Sequence, residues 1–100
     1  MTEANITTVP LETRVVRPGG EPITQLRLRR PMSGDLRGLS IAKLGQLDYD
    51  ELRKLLPRVS LDPLIAEEVD RIDTADMIEI SGVVADFLFT ARRKEEFLTM

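Results

Sequence analysis

The sequence contains no cysteine and no histidine, and these two absences exclude most catalytic and metal chemistry. Without cysteine there are no disulfides, thiol nucleophiles, thiolate zinc sites or cysteine-ligated iron–sulfur clusters. Without histidine there is no Ser-His-Asp catalysis, no histidine-ligated metal and no usual general base near pH 7. We therefore predict a protein that is not an enzyme and that has no catalytic residues, metal or cofactor.

Aromatic residues are also scarce, with three Phe, one Tyr and no Trp in 100 residues. A chain of this length is expected to form one domain, and its core is then built mostly from Leu, Ile and Val. The most apolar stretch, residues 83–89, is interrupted by Asp86 and is too short to span a bilayer. The first five residues lack the basic and apolar regions of a secretory signal. We expect a soluble cytoplasmic protein with no membrane partner.

Charge is divided unevenly along the chain, although the net charge is only −3. From Arg14 to Arg37 six arginines stand against two carboxylates, a net of +4, and from Asp62 to Asp86 eight carboxylates stand against one arginine, a net of −7. Such asymmetry more often reflects solvation and steering than a dedicated site. We predict that the two parts complement each other, either within one chain or between copies.

The densest basic cluster consists of Arg27, Arg29 and Arg30. No aromatic residue interleaves with it and the chain is acidic overall, which argues against nucleic-acid binding. Two interpretations remain, a solvated strand face and half of a protein-binding face, since arginine is favoured at interfaces. We retain all three arginines as candidate partner-binding residues.

The first third of the chain has the pattern of a β-hairpin. Apolar residues alternate with polar ones from Val9 to Arg17 and again from Ile23 to Arg30, around the glycine- and proline-rich residues 18–22. Leu26 and Leu28 are predicted on the buried face, opposite the arginines. Residues 1–8 are predicted to be a flexible leader.

Helical spacing replaces this alternation in the second half. Asp48 is predicted to cap a helix that Pro57 ends or kinks near Leu56, and Asp62 with the following proline is predicted to start a short helix. Asp73 is predicted to cap the longest helix, over residues 74–92. Its apolar stripe comprises Met77, Ile80, Val84, Phe87, Leu88 and Ala91.

The predicted fold class is therefore α+β and mainly helical, with an N-terminal β-hairpin followed by three to five short helices. Residues 9–92 are predicted to form the single domain, and residues 93–100 a flexible tail.

A ladder of carboxylates, Asp70, Asp73, Asp76 and Glu79, raises the question of a metal or catalytic site. On one continuous helix these charges would repel, so we predict a helix break between Asp70 and Asp73. Asp73 and Asp76 then cap the following helix, and Glu79 faces water. The sequence also lacks the glycine-rich loops that bind nucleotide phosphates.

Short segments of the chain resemble the small tail assembly chaperones of contractile-tailed, Mu-like phages and prophages. The order of elements is similar over residues 9–90. The resemblance is carried by four segments and three apolar residues. They are the second strand with its Arg-Pro end (residues 23–31), the segment after it (33–38), the helix ending that contains Leu-Leu-Pro-Arg-Val (52–60), the start of the last helix (73–76), and Val84, Phe87 and Leu88 on the apolar face of that helix.

The resemblance implies a non-enzymatic role in virion assembly. Such proteins are thought to bind the tape measure protein, a long, largely helical ruler of tail length, and to keep it soluble until the tail tube polymerises. The resemblance further implies action in the host bacterial cytoplasm, absence from the mature virion, and in related phages a longer product made by a programmed frameshift. Whether this chain has such a form, or forms homo-oligomers, stays open.

Two phenylalanines are candidate apolar contacts for a helical partner of this kind. Phe89 lies beside the predicted stripe of the last helix and Phe97 lies in the predicted tail. The competing interpretation is that Phe89 widens the core stripe.

An alternative function is a small regulatory adaptor, such as an antitoxin-like protein that neutralises a single partner. It is compatible with the same size, charge and lack of catalytic residues. The neighbouring genes discriminate between the two hypotheses, since a tape measure gene favours the chaperone and a toxin gene favours the adaptor.

Overall fold

The computed structural model describes residues 5–89, and within them an antiparallel hairpin is followed by four α-helices. The strands are β1 (Ile6–Val15) and β2 (Ile23–Arg29), and a 3₁₀ turn covers Ser33–Leu36. The helices are α1 (Ile41–Gly45), α2 (Tyr49–Val59), α3 (Ala66–Val69) and α4 (Thr74–Leu88). The predicted α+β class, a hairpin followed by several short helices, is confirmed.

The hairpin shows the predicted division into two faces. Leu26 and Leu28 are buried while Arg27 between them is exposed, since successive side chains of a strand point to opposite faces. The first strand starts earlier than predicted, because Ile6 pairs with Arg29. Residues 6–8 therefore belong to the hairpin and not to the predicted leader. Residues 1–4 and the predicted tail, 93–100, lie outside the described residues.

One core unites the inner face of the hairpin with the helices. Aliphatic side chains dominate it, as the composition predicts, and Phe87 is its aromatic member among the described residues. The buried apolar residues are Val9, Val15, Ile23, Leu26, Leu28, Leu44, Leu52, Leu55, Leu56, Val59, Leu64, Val69, Ile72, Ile80, Val84 and Phe87.

Helix α2 begins as predicted but continues through its proline. The Asp48 carboxylate accepts the Glu51 N–H at 3.4 Å. Pro57 lies inside the helix, which ends only at Val59, so of the two predicted effects of this proline, an end or a kink near Leu56, the end is wrong. A proline near a helix end removes one hydrogen bond. The last turn persists because the Ser60 N–H donates to the Leu56 carbonyl at 2.9 Å and the Val59 side chain is buried in the core.

The helix predicted to start at Asp62 is absent at that position. The short helix α3 begins at Ala66, and the Glu68 carboxylate accepts the N–H of Ile65 at 3.1 Å. The Asp62 carboxylate instead pairs with Arg27 at 2.7 Å, a partner far away in sequence. The Asp62 carboxylate is therefore bound in a long-range ion pair, whereas the local sequence predicted that it caps a helix.

Helix α4 begins where the sequence predicts, with the Asp73 carboxylate accepting the Ala75 N–H at 3.1 Å. Its predicted stripe faces the core, and burial is deepest at its centre. Ile80, Val84 and Phe87 are buried, and Met77 and Leu88 are partly buried.

The end of α4 differs from the prediction of residue 92. The helix ends at Leu88, and Phe89 has an extended backbone with φ −101° and ψ 142°. Phenylalanine and threonine, which occupy positions 89 and 90, are weaker helix formers than leucine or alanine. Ala91, predicted on the stripe, lies outside the described residues. Within residues 5–89 no helix is both long and apolar enough to cross a bilayer.

Candidate functional site

The basic and acidic parts of the chain meet in ion pairs of the folded structure. Arg17 donates to Glu68 at 2.8 Å, and Arg27 donates to Asp62 at 2.7 Å. Both pairs join the hairpin region to the segment that carries the carboxylates. The predicted charge complementarity is therefore confirmed within one chain.

Arg27, the first candidate partner-binding arginine, is held by two hydrogen bonds. Its Nε and Nη2 donate to the two carboxylate oxygens of Asp62 at 3.1 and 2.7 Å. The guanidinium holds the pKa of Asp62 below its ordinary value, chiefly through these hydrogen bonds. Arg27 therefore fixes the segment after α2 against β2.

Arg29, the second candidate, is held by still more contacts. Its Nη1 and Nη2 donate to Asp35 at 2.8 and 2.9 Å, and Nη2 also donates to the Arg58 carbonyl at 3.0 Å. Asp35 accepts the Met32 N–H at 2.8 Å as well. The Arg29 hydrogen bonds, followed by that of Met32, keep the pKa of Asp35 well below its ordinary value. Arg29 thus ties β2 to the 3₁₀ turn and to α2.

Arg30, the third candidate, differs from the other two. Its backbone N–H donates to the Asn5 carbonyl at 2.7 Å, which closes the open end of the hairpin. Its side chain is exposed and makes no ion pair with any residue in 5–89. Of the three arginines, Arg30 alone therefore presents a guanidinium without a carboxylate partner in this part of the chain.

An open apolar groove lies beside Arg30, at the end of the hairpin. Its volume is about 370 Å³, and it is lined by Asn5, Ile6, Arg29, Arg30, Met32 and Leu61. Met32 is 70% exposed and Leu61 is 42% exposed. We call these six residues the hairpin-end groove. It combines exposed apolar side chains with a positive charge at its rim.

Of the two candidate phenylalanines, Phe89 lies within the described residues. Phe89 is partly buried at the C-terminal end of α4, and it has contacts beyond its backbone hydrogen bond to the Ala85 carbonyl. Phe97 lies outside the described residues. A partner contact at either phenylalanine stays a prediction.

The carboxylate ladder has structural partners rather than a shared site. The predicted helix break is confirmed, because α3 ends at Val69 and α4 starts at Thr74. Asp70 pairs with Arg53 at 2.9 Å, and Glu79 is exposed as predicted. Within residues 5–89 no group of carboxylates is arranged to hold a metal ion.

The prediction that Asp76 helps to cap α4 is wrong, because both of its carboxylate oxygens bind β1 instead. Its carboxylate is buried and accepts the backbone N–H groups of Glu12 and Thr13, each at 3.0 Å. These two residues lie in the irregular part of β1, between Pro10 and Val15, where the pairing register shifts. Asp76 therefore supplies an acceptor for two successive backbone N–H groups where the regular pairing of β1 with β2 is interrupted, and the only sequence signal was its position near the start of α4.

Tyr49 and Arg53 on α2 share the carboxylate of Asp70. The Tyr49 hydroxyl donates to Asp70 at 2.6 Å and the Arg53 Nε donates to it at 2.9 Å. Partial burial of Tyr49, which remains 40% exposed, followed by the hydrogen bond to Asp70, raises the pKa of the Tyr49 hydroxyl to about 12. The cluster fixes α2 against the turn after α3.

We expect a spectrophotometric titration to report this cluster directly, because Tyr49 is the only tyrosine and there is no tryptophan. The tyrosinate absorbance of the folded protein should rise with a midpoint near pH 12, against about 10 in urea. Since folding raises this pKa, the stabilisation is present below pH ~10 and is lost as the pH rises toward 12. Circular dichroism at each pH establishes that the protein is still folded.

Asp70→Asn should lower the Tyr49 midpoint, whereas Glu79→Gln, a neutralised carboxylate outside the cluster, should leave it unchanged. A midpoint near 10 in the folded protein would contradict the hydrogen bond.

In the part of the chain that the structure describes, many ionic groups hold the protein's own elements together, and the exposed features include apolar side chains and the charge of Arg30. Comparison with known proteins gives its family. The sequence model of the family described as "Phage tail assembly chaperone proteins, E, or 41 or 14" matches residues 8–88. The chain belongs to this family of phage tail assembly chaperones, as its sequence resemblance predicted, and the family is not a class of enzymes.

Two relatives from Escherichia phage P2 are similar to the chain. "Tail assembly protein E" is 36% identical over 73 residues, which is 73% of this chain and 80% of the relative. "Tail assembly protein E'" is 36% identical over 73 residues, which is 73% of this chain and 51% of the relative, so the match spans about half of that longer protein. No solved structure matches the chain significantly.

Proposed function

We propose that this protein binds the tape measure protein of its own phage or prophage and keeps it soluble until the tail tube polymerises. The observation that carries the proposal is the family match over residues 8–88, which includes nearly all of the described fold. In this proposal the protein acts in the host bacterial cytoplasm, catalyses nothing and is left out of the mature virion.

The described surface supports a role in binding an apolar client. Several large apolar side chains are more than half exposed: Val16, Met32, Ile41, Ile65 and Ile78. A largely helical client presents amphipathic segments, and burial of their apolar faces supplies the affinity. Exposed charges such as Arg30 then act mainly on the association rate and its salt dependence.

We propose further that a longer form of this protein, made by a frameshift, takes part in the same assembly step. The two phage P2 relatives support this proposal, because each is 36% identical over 73 residues but the match covers 80% of one and 51% of the other. A common region with two different total lengths is the pattern that such a pair produces.

Deletion of the gene in an inducible prophage tests the proposed function. We expect the induced lysate to contain heads without tails and the tape measure protein to sediment as an aggregate. A plasmid copy of the gene should restore tails, which separates loss of the protein from an effect on neighbouring genes.

Normal tails in the lysate of the deletion strain would end the proposal. Tail-less particles with a fully soluble tape measure protein would also contradict it, because the protein would then act at another step of assembly.

A further inference from the structure

We infer that the hairpin-end groove is a docking site for a segment of the tape measure protein that carries an apolar side chain next to a carboxylate. The inference rests on the proposed function and adds to it the surface and the chemistry of the contact. Two features carry it, the apolar lining of the groove and the charge of Arg30, which makes no ion pair within residues 5–89.

The apolar lining is open to solvent although the chain has a core in which to bury such side chains. Met32 is 70% exposed and Leu61 is 42% exposed, and both line the groove together with Ile6. The groove volume of about 370 Å³ lies within the range of small binding sites. An apolar side chain inserted there removes the exposed surfaces of Met32 and Leu61 from water, which is favourable.

The groove is held in shape by contacts on both sides. The Arg30 N–H donates to the Asn5 carbonyl at 2.7 Å, and the Leu61 N–H donates to the Arg27 carbonyl at 2.8 Å. Arg29 in the wall is fixed by both oxygens of Asp35. A preformed groove loses little conformational entropy when a segment binds.

The positive charge of Arg30 beside the groove determines which kind of segment can bind there. Arg29 already has Asp35 as its carboxylate partner, whereas Arg30 makes no ion pair within residues 5–89. A guanidinium beside an apolar groove favours a carboxylate close to the inserted side chain. A basic segment would be repelled, so the groove discriminates by charge as well as by shape.

Competition for the purified complex with the tape measure protein tests the inference. The complex is formed by co-expressing the tape measure protein with untagged wild-type chain. Tagged variants are then added at low and at high salt, and the amount of untagged chain that each variant displaces is measured. We expect Arg30→Glu to compete about five- to tenfold less well than tagged wild type at low salt, with a smaller difference at high salt. Met32→Ser should compete about tenfold less well at both salt concentrations.

Two matched variants serve as controls. Arg30→Lys keeps the positive charge and should compete nearly as well as wild type. Arg71→Glu makes the same charge reversal at an exposed arginine that does not line the groove, and it should also compete like wild type. Urea unfolding midpoints equal to that of wild type establish that every variant is folded.

The outcomes separate this inference from the proposed function. If wild type itself forms no complex, the proposed function fails. If wild type binds and Arg30→Glu and Met32→Ser compete equally well, the groove is not the docking site and the inference alone is overturned. A change in the oligomeric state of free Arg30→Glu or Met32→Ser would also overturn it, by making the groove a contact between copies of this chain.

Discussion

Replacement of Ile80 by alanine is expected to lower the free energy of unfolding by about 2–5 kcal/mol. Ile80 is 0% exposed and lies at the centre of the buried face of α4. The substitution removes buried methyl groups and leaves a cavity among closely packed neighbours. Urea denaturation monitored by circular dichroism measures the loss.

Two other apolar residues of α4 provide graded controls. Leu88 lies on the same predicted stripe but is only partly buried, so Leu88→Ala should lose less than Ile80→Ala. Ile78 is exposed, and Ile78→Ala should change stability by no more than about 0.5 kcal/mol. Equal losses at all three positions would contradict the orientation of α4 on the core.

Replacement of Asp76 by alanine is expected to lower the free energy of unfolding by roughly 2–4 kcal/mol, because two part-buried hydrogen bonds to a charged group are lost together. The backbone N–H groups of Glu12 and Thr13 are then left without their acceptor. Amide hydrogen exchange should accelerate at Glu12 and Thr13 beyond what the global loss of stability explains, since the irregular part of β1 opens locally.

Asp76→Asn keeps one acceptor oxygen at the same position and should lose less stability than Asp76→Ala. Glu79→Ala, one turn further along α4 and exposed, is the surface control. If Asp76→Ala unfolds at the same urea concentration as wild type and exchange at residues 12 and 13 is unchanged, the link between α4 and β1 does not stabilise the fold.

The features of the fold that depend on short-range periodicity could be predicted from the sequence. Leu26 and Leu28 alternate with arginines, and this period of two predicted the inner face of the hairpin. Asp48 and Asp73 predicted the starts of the two longest helices, because a helix cap depends on the nearest few residues.

Three of the errors occur where contacts distant in the chain decide the local structure. Asp62 has the local pattern of a helix start, but Arg27 binds its carboxylate. Pro57 has the local pattern of a helix end, but burial of Val59 favours one more turn. Asp76 and its partners on β1 are more than 60 residues apart in the chain, a contact that no local pattern contains.

The prediction of the candidate site is limited in the same way, because contacts between residues distant in the chain determine its properties. The sequence pattern identified the cluster of Arg27, Arg29 and Arg30, but it contains nothing that distinguishes the three arginines. The arginines differ in their availability to a partner because Asp62 pairs with Arg27 and Asp35 pairs with Arg29. Among the described residues, Arg30 has no such carboxylate partner. The groove beside Arg30 needs Leu61 next to Ile6, and only the folded chain brings these together.

The measurement that tests the proposed function most directly is the soluble fraction of the tape measure protein, expressed with and without this chain. We predict that the tape measure protein alone sediments as an aggregate, and that co-expression moves it to the supernatant in a complex that retains this chain through purification. A tape measure protein that is equally soluble in both conditions, or that becomes soluble without retaining the chain, would contradict the account.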